Sequence, residues 1–143
     1  MRPCLMVVLL VLSLAACATP PMADEGTLPR HALIGTSWLA QTIDGVAVDP
    51  AVPSTLTFQR DDRVIGRGGC NRYFGRLGLS HSVLSISGLG DTKMFCTPPT
   101  VMEQERRFFE ALQASVAWQR DGDTLVLLDL AGRERLRLVP LVS

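Results

Sequence analysis

The stretch Thr124–Val139, TLVLLDLAGRERLRLV, decides how the rest of the chain is read. In its second half Leu136 and Leu138 fall between Arg135 and Arg137, so one face is apolar and the other charged. That period of two is the mark of a half-buried β-strand. The first half, TLVLLDL, is apolar almost throughout, as a central or doubly covered strand would be. Between them, Ala131–Arg133 (AGR) sits where a hairpin turn belongs. Working outward, the same alternation returns. Leu56 and Phe58 alternate with Thr55, Thr57 and Gln59, and Leu84 and Ile86 alternate with Ser85 and Ser87. Arg120–Asp123 (RDGD) supplies another turn. Short strands joined by glycine and aspartate turns predict a mainly β (α+β) fold, with a small curved antiparallel sheet of barrel-like form.

One segment breaks the pattern. Thr97–Val116 lacks glycine, and Met102, Phe109 and Leu112 recur at helical spacing, with Val101 and Phe108 beside them. Glu103, Gln104, Arg106, Arg107, Glu110 and Gln113 take the other positions. The segment predicts one amphipathic helix of about four turns packed on the sheet. Thr100 with Glu103 fits a capping box, and Pro98 and Pro99 are tolerable at or just before a first turn.

The amino terminus reads as an export signal rather than as part of the domain. Arg2 is followed by an apolar run from Leu5 to Leu14, broken only by Ser13, and then by small residues. The run falls short of the roughly 20 apolar residues that cross a hydrocarbon core. Its end, Leu14-Ala15-Ala16-Cys17, resembles the lipobox of bacterial lipoproteins. The resemblance implies a signal at 1–16, cleavage before Cys17 and acylation of Cys17, by enough lipid chains for stable anchoring. Ala18 rather than aspartate follows, which in a Gram-negative envelope implies the outer membrane, facing the periplasm. Residues 17–32, with three prolines and little to bury, read as the lipidated start and a flexible tether, leaving a domain at 33–140.

Charge narrows the partners. The chain has 14 basic and 14 acidic residues, and losing residues 1–16 removes only Arg2. A near-neutral domain has no excess of phosphate-neutralising charge, so nucleic acid is not an expected partner and a polybasic grip on lipid is not expected either.

The glycine-rich stretch Gly66–Gly75, GRGGCNRYFG, raises the question of chemistry. It lacks the Gly-Lys-Ser/Thr of a phosphate-binding loop, so its glycines read as a bulge or a tight approach within a strand. Cys70 has three readings. As a nucleophile it would need a base, and His81 is the only histidine in the domain, since His31 lies in the tether. As a metal ligand it lacks the paired Cys or His spacing of a zinc site. As half of a disulfide it needs only to meet Cys96, the other cysteine left once Cys4 and Cys17 are set aside, in an oxidising compartment. A bridge would close a loop of about 25 residues. The disulfide is the reading adopted, with no catalytic residue, metal or cofactor expected.

These pieces together resemble the META domain, or HslJ-like, family. The resemblance rests on LIGTSWLAQTIDG, with Trp38 and Gly45; on TLTFQRDDRVIGRGGCNRYFGRL; on LGDTKMFC; and on MEQERRFFEAL, followed by a closing hairpin. The G-C-N-x-Y, T-x-M-x-C and M-E-x-E elements come in the family's order, and Cys70 and Cys96 match its cysteine positions. The resemblance implies a barrel-like β fold with one helix, an envelope location and a link to heat and stress tolerance, without a catalytic residue set. The expectation is a non-catalytic, monomeric envelope lipoprotein that supports the outer membrane through a protein partner, with Asn71, Arg72, Tyr73 and Lys93 as an exposed contact surface. Alternatives are a carrier holding a small apolar ligand or lipid in the barrel, and a cysteine-dependent enzyme using Cys70 with His81.

Overall fold

A computed structural model of the protein describes residues 32–142. The signal segment, Cys4, Cys17, His31 and nearly all of the tether lie outside the described residues. Nine strands and one helix follow in order. The strands are β1 (Ser37–Ile43), β2 (Val46–Ala47), β3 (Thr55–Phe58), β4 (Arg63–Arg67), β5 (Arg72–Ser80) and β6 (Val83–Asp91), then β7 (Ala117–Asp121), β8 (Thr124–Leu128) and β9 (Glu134–Pro140). The helix α1 (Pro99–Ala114) joins β6 to β7. All pairings are antiparallel, and β1 hydrogen-bonds to both β3 and β9, so eight strands form a ring with β2 as a short flap on β1. The ring is uneven. β5 and β6 pair along most of their length, whereas β6 and β7 meet only at Val83 and Ala117, where α1 intervenes in sequence.

Period two puts alternate side chains inside. Leu56 and Phe58 of β3, Leu84 and Ile86 of β6, Leu125 and Leu127 of β8, and Leu136 and Leu138 of β9 are all buried. On β1 Trp38 and Ala40 point inward, and a bulge between Ala40 and Thr42 shifts the phase so that Ile43 also faces in. Val126 on the outer side of β8 is buried too, with Gln119 and Arg137 opposite it, so β8 is covered on both faces. Phe108, Ala111 and Leu112 of α1 complete the core. Trp38 and Trp118 are among its largest buried side chains, each with its indole N–H donated, to Thr36 Oγ1 (2.7 Å) and to the His81 carbonyl (2.8 Å).

The turns follow local chemistry. Asp44 and Gly45, both at positive φ, make the β1–β2 turn, as an Asp-Gly pair suits. Asp129 organises the β8–β9 turn by accepting from the backbone N–H groups of Ala131 (2.9 Å) and Arg133 (3.0 Å), and its other oxygen takes Arg133 Nε (2.9 Å).

The helix start differs from expectation. The chain enters α1 through Pro98, with no side-chain cap, and Thr100 already lies in the first turn. Proline lacks the N–H that a cap would satisfy, and Val101 N–H donates to the Pro98 carbonyl (3.0 Å). Glu103 turns instead to Arg106 (2.6 Å), so no capping box forms.

Candidate functional site

The three sequence elements meet at one rim of the barrel, where β4 ends, β5 and α1 begin, and β6 has just ended. Their centre is Asn71, only 2% exposed. Its Oδ1 accepts from Thr92 Oγ1 (2.7 Å) and Met94 N–H (2.6 Å). Its Nδ2 donates to the Met94 carbonyl (3.0 Å) and to Glu105 Oε1 (2.6 Å), and its backbone N–H donates to Glu105 Oε2 (2.5 Å). Both amide protons and both oxygen lone pairs are used, so the side chain has no hydrogen-bonding capacity left for a ligand. Glu105, itself buried, projects from the second turn of α1 and ties the helix to the start of β5.

Around this centre the same logic repeats. Cys70 and Cys96 form a disulfide, with Cα atoms 5.8 Å apart, and Cys96 N–H donates to the Met102 thioether (3.4 Å). Gln104 accepts from Asp49 N–H (2.9 Å) and donates to the Val52 carbonyl (2.7 Å) and to Ser54 Oγ (3.3 Å). Ser54 Oγ donates to the Gly68 carbonyl (2.6 Å). Tyr73, also buried, donates its phenol to the Thr55 carbonyl (2.8 Å) and meets Phe108 and Phe109 edge-on, with ring centroids 5.9 and 5.3 Å away. Burial pushes its phenol above the ordinary tyrosine range.

Both expectations for the glycines are met: Gly66 and Gly68 are tight approaches on the unbroken β4–β5 side, and Gly75 lies where the β5–β6 register shifts between Phe74 and Arg76. A Cβ on Gly66 would collide with the Thr55 carbonyl, and one on Gly68 would lie 2.6 Å from the Phe109 ring and 2.8 Å from Glu105 Cγ. The helix and its carboxylate can sit this close to the strand because there is no side chain beneath them.

Of the residues expected on a contact surface, Arg72 and Lys93 are exposed, while Asn71 and Tyr73 are buried. The sequence reading took the amide and the phenol for surface groups because both are polar, yet here each is satisfied from within. Gln104, expected on the polar side of the helix, is likewise buried. In the sequence Glu105 stands out only as the last residue of M-E-x-E. The signal that it matters is its place three residues before Phe108, on the buried face. Cys70 and His81 are not neighbours. His81 lies in the β5–β6 turn, at the far end of a nine-residue strand and thus some 25 Å or more away at about 3.3 Å per residue. The arrangement at this rim is a fastening, with its thiols joined and its amide and carboxylate bonded to each other.

A ring of eight antiparallel strands, packed with side chains from the strands and one helix and locked at a rim by a disulfide and a buried Asn–Glu pair, defines a small antiparallel β-barrel domain. The chain belongs to the META domain family, which it matches over residues 31–141. It is similar in structure to a protein from Burkholderia xenovorans solved by NMR, with a TM-score of 0.63 and 26% identity over 87% of this chain and 96% of that one. A second protein solved by NMR shares the fold, with a TM-score of 0.63 and 22% identity over 78% and 94% of the two chains. Among curated proteins none matches the chain.

Proposed function

We propose that the protein is a non-catalytic envelope lipoprotein, held by acyl chains on Cys17 in the outer membrane facing the periplasm, that supports envelope integrity or stress tolerance through protein contacts. The observation carrying this reading is that the signature residues of the family are consumed by one another. Asn71 bonds Glu105, Thr92 and Met94, and Cys70 bonds Cys96. A catalytic site keeps a nucleophile, acid or base free to meet substrate, and these groups are not free. The barrel interior is occupied by Trp38, Trp118, Phe58 and Phe108, which favours a contact role over that of a carrier with a ligand inside.

The test is a deletion strain assayed for outer-membrane permeability and survival of heat, complemented with wild-type protein and with Cys17→Ala. Leakage restored by the first and not by the second is the expected result. An unaltered envelope in the deletion strain refutes the reading, and intact-mass analysis showing no lipid on Cys17 removes the anchor from it.

A further inference from the structure

The rim that Asn71 fastens also carries a patch that neither the core nor the fastening uses. Phe95 is 79% exposed and Met94 49%, both in the loop between β6 and α1. The loop is not free to fold its apolar side chains away. Asn71 holds Met94 by both N–H and carbonyl, and the next residue but one, Cys96, is bonded to Cys70. Beside it Arg67 and Arg72 stand directly opposite each other at the open end of the β4–β5 ladder, both exposed. Like charges in that relation destabilise a sheet. Among the described residues neither guanidinium has a hydrogen-bond or ion-pair partner, whereas neighbouring Lys93 is paired with Asp91 (2.8 Å).

We propose that this rim is a docking surface for an acidic protein segment, in which Phe95 enters an apolar pocket of the partner and carboxylates bind Arg67 and Arg72. A preformed aromatic anchor on a loop tied to the strand that carries Arg72 has the make-up of an interface hot spot, since the loop is fastened before binding and little freedom remains to be lost. The two unpaired charges set the sign of the partner. Direction favours a protein over the anchoring bilayer. β1 starts at the opposite rim, with Gly35 N–H on the Phe58 carbonyl at the end of β3, so the tether enters the domain on the side away from Phe95. The length of the barrel then separates the patch from the tether.

This inference rests on the reading of the protein as one that acts by contact, and its test is independent of any deletion phenotype. A random peptide library displayed on phage is selected against the full protein, purified in detergent from the membranes that hold it. Enriched peptides should combine Asp or Glu with a large apolar residue. A synthetic consensus peptide should bind Phe95→Ser and Arg67→Glu/Arg72→Glu at least roughly ten-fold more weakly than wild type. Arg63→Glu, at the opposite rim, should leave binding unchanged, and unfolding midpoints show that the variants fold. Three results overturn the proposal: no enrichment; enrichment of peptides that bind all variants equally; or Phe95-dependent binding to phosphatidylglycerol vesicles or to a second copy of the chain in place of peptide. A silent deletion strain together with Phe95-dependent peptide binding would remove the envelope role and leave the docking surface standing.

Discussion

Replacing Glu105 by glutamine removes a charge and almost no volume, and the structure says what that should cost. One carboxylate oxygen takes the Asn71 backbone N–H and the other takes Asn71 Nδ2, at 2.5 and 2.6 Å. Glutamine presents one oxygen and one NH2, so one of the two Asn71 donors must face another donor. Rotating the Asn71 amide offers no relief, because its NH2 would then face Met94 N–H and its Oδ1 the Met94 carbonyl. Hydrogen bonds to charged groups contribute about 1.5–3 kcal/mol, and a buried donor left unsatisfied costs about 1–3 kcal/mol. Glu105→Gln should therefore lower stability by about 2–3 kcal/mol, a drop in Tm of roughly 8–12 °C for a domain of this size. Glu103→Gln, on the exposed side of the same helix turn, should leave the unfolding midpoint almost unchanged. Urea unfolding followed by tryptophan fluorescence, with the disulfide intact, measures both. Equal and small losses in the two variants would falsify the account of the rim as a fastening.

Other consequences can be checked on the same purified protein. Reducing the Cys70–Cys96 bond, or replacing both residues by serine, should lower stability by about 3–4 kcal/mol for a loop whose ends are 26 residues apart, as urea unfolding with and without reductant would show. Gly68→Ala should cost about 1–3 kcal/mol by thermal melting, because its methyl would push the Phe109 ring and the buried Glu105 off the strand. Tyr73 is the chain's one tyrosine, so absorbance at tyrosinate wavelengths reports it alone. With its folded pKa raised, stability is unaffected below pH of about 10 and falls as pH climbs past it, and tyrosinate should appear only together with unfolding. The Asp129 carboxyl is held below its ordinary range, first by the Arg133 backbone N–H and then by that residue's side chain. Its contribution is present above pH of about 4 and lost as pH falls below that, so Asp129→Asn should flatten the urea midpoint's dependence on acid pH.

The alternation of Leu136 with Arg137, or of Leu56 with Thr57, was readable because a period of two follows from the pleat of a strand. The helix was readable for the matching reason. Strand partners were not, because alternation says which face is buried and nothing about which strand lies alongside. The β1–β9 pairing joins residues near opposite ends of the domain. The bulge after Ala40 was hidden as well, since a single inserted residue leaves the composition of β1 unchanged. At the rim, residue type misled. Asn71, Tyr73 and Gln104 carry polar groups that look like surface chemistry until their partners are known, and those partners lie as far away in sequence as Val52 and Met94. Arg72 and Lys93 could be placed outside because a guanidinium or ammonium group is rarely buried without a partner.

The closing of the ring by the first and last strands has a consequence for how the chain becomes a domain. Leu39 pairs with Val139 and Ile43 with Leu136, so β1 waits for β9 before one of its edges is covered. A ribosome or a translocation pore releases β9 after every other strand of the ring. Until then the nascent chain has an open sheet edge and an unsealed core, and folding cannot be completed before β9 emerges. Cutting the chain within β9 would leave the same defect permanently, so the barrel depends on its final strand as closely as on any strand of the core.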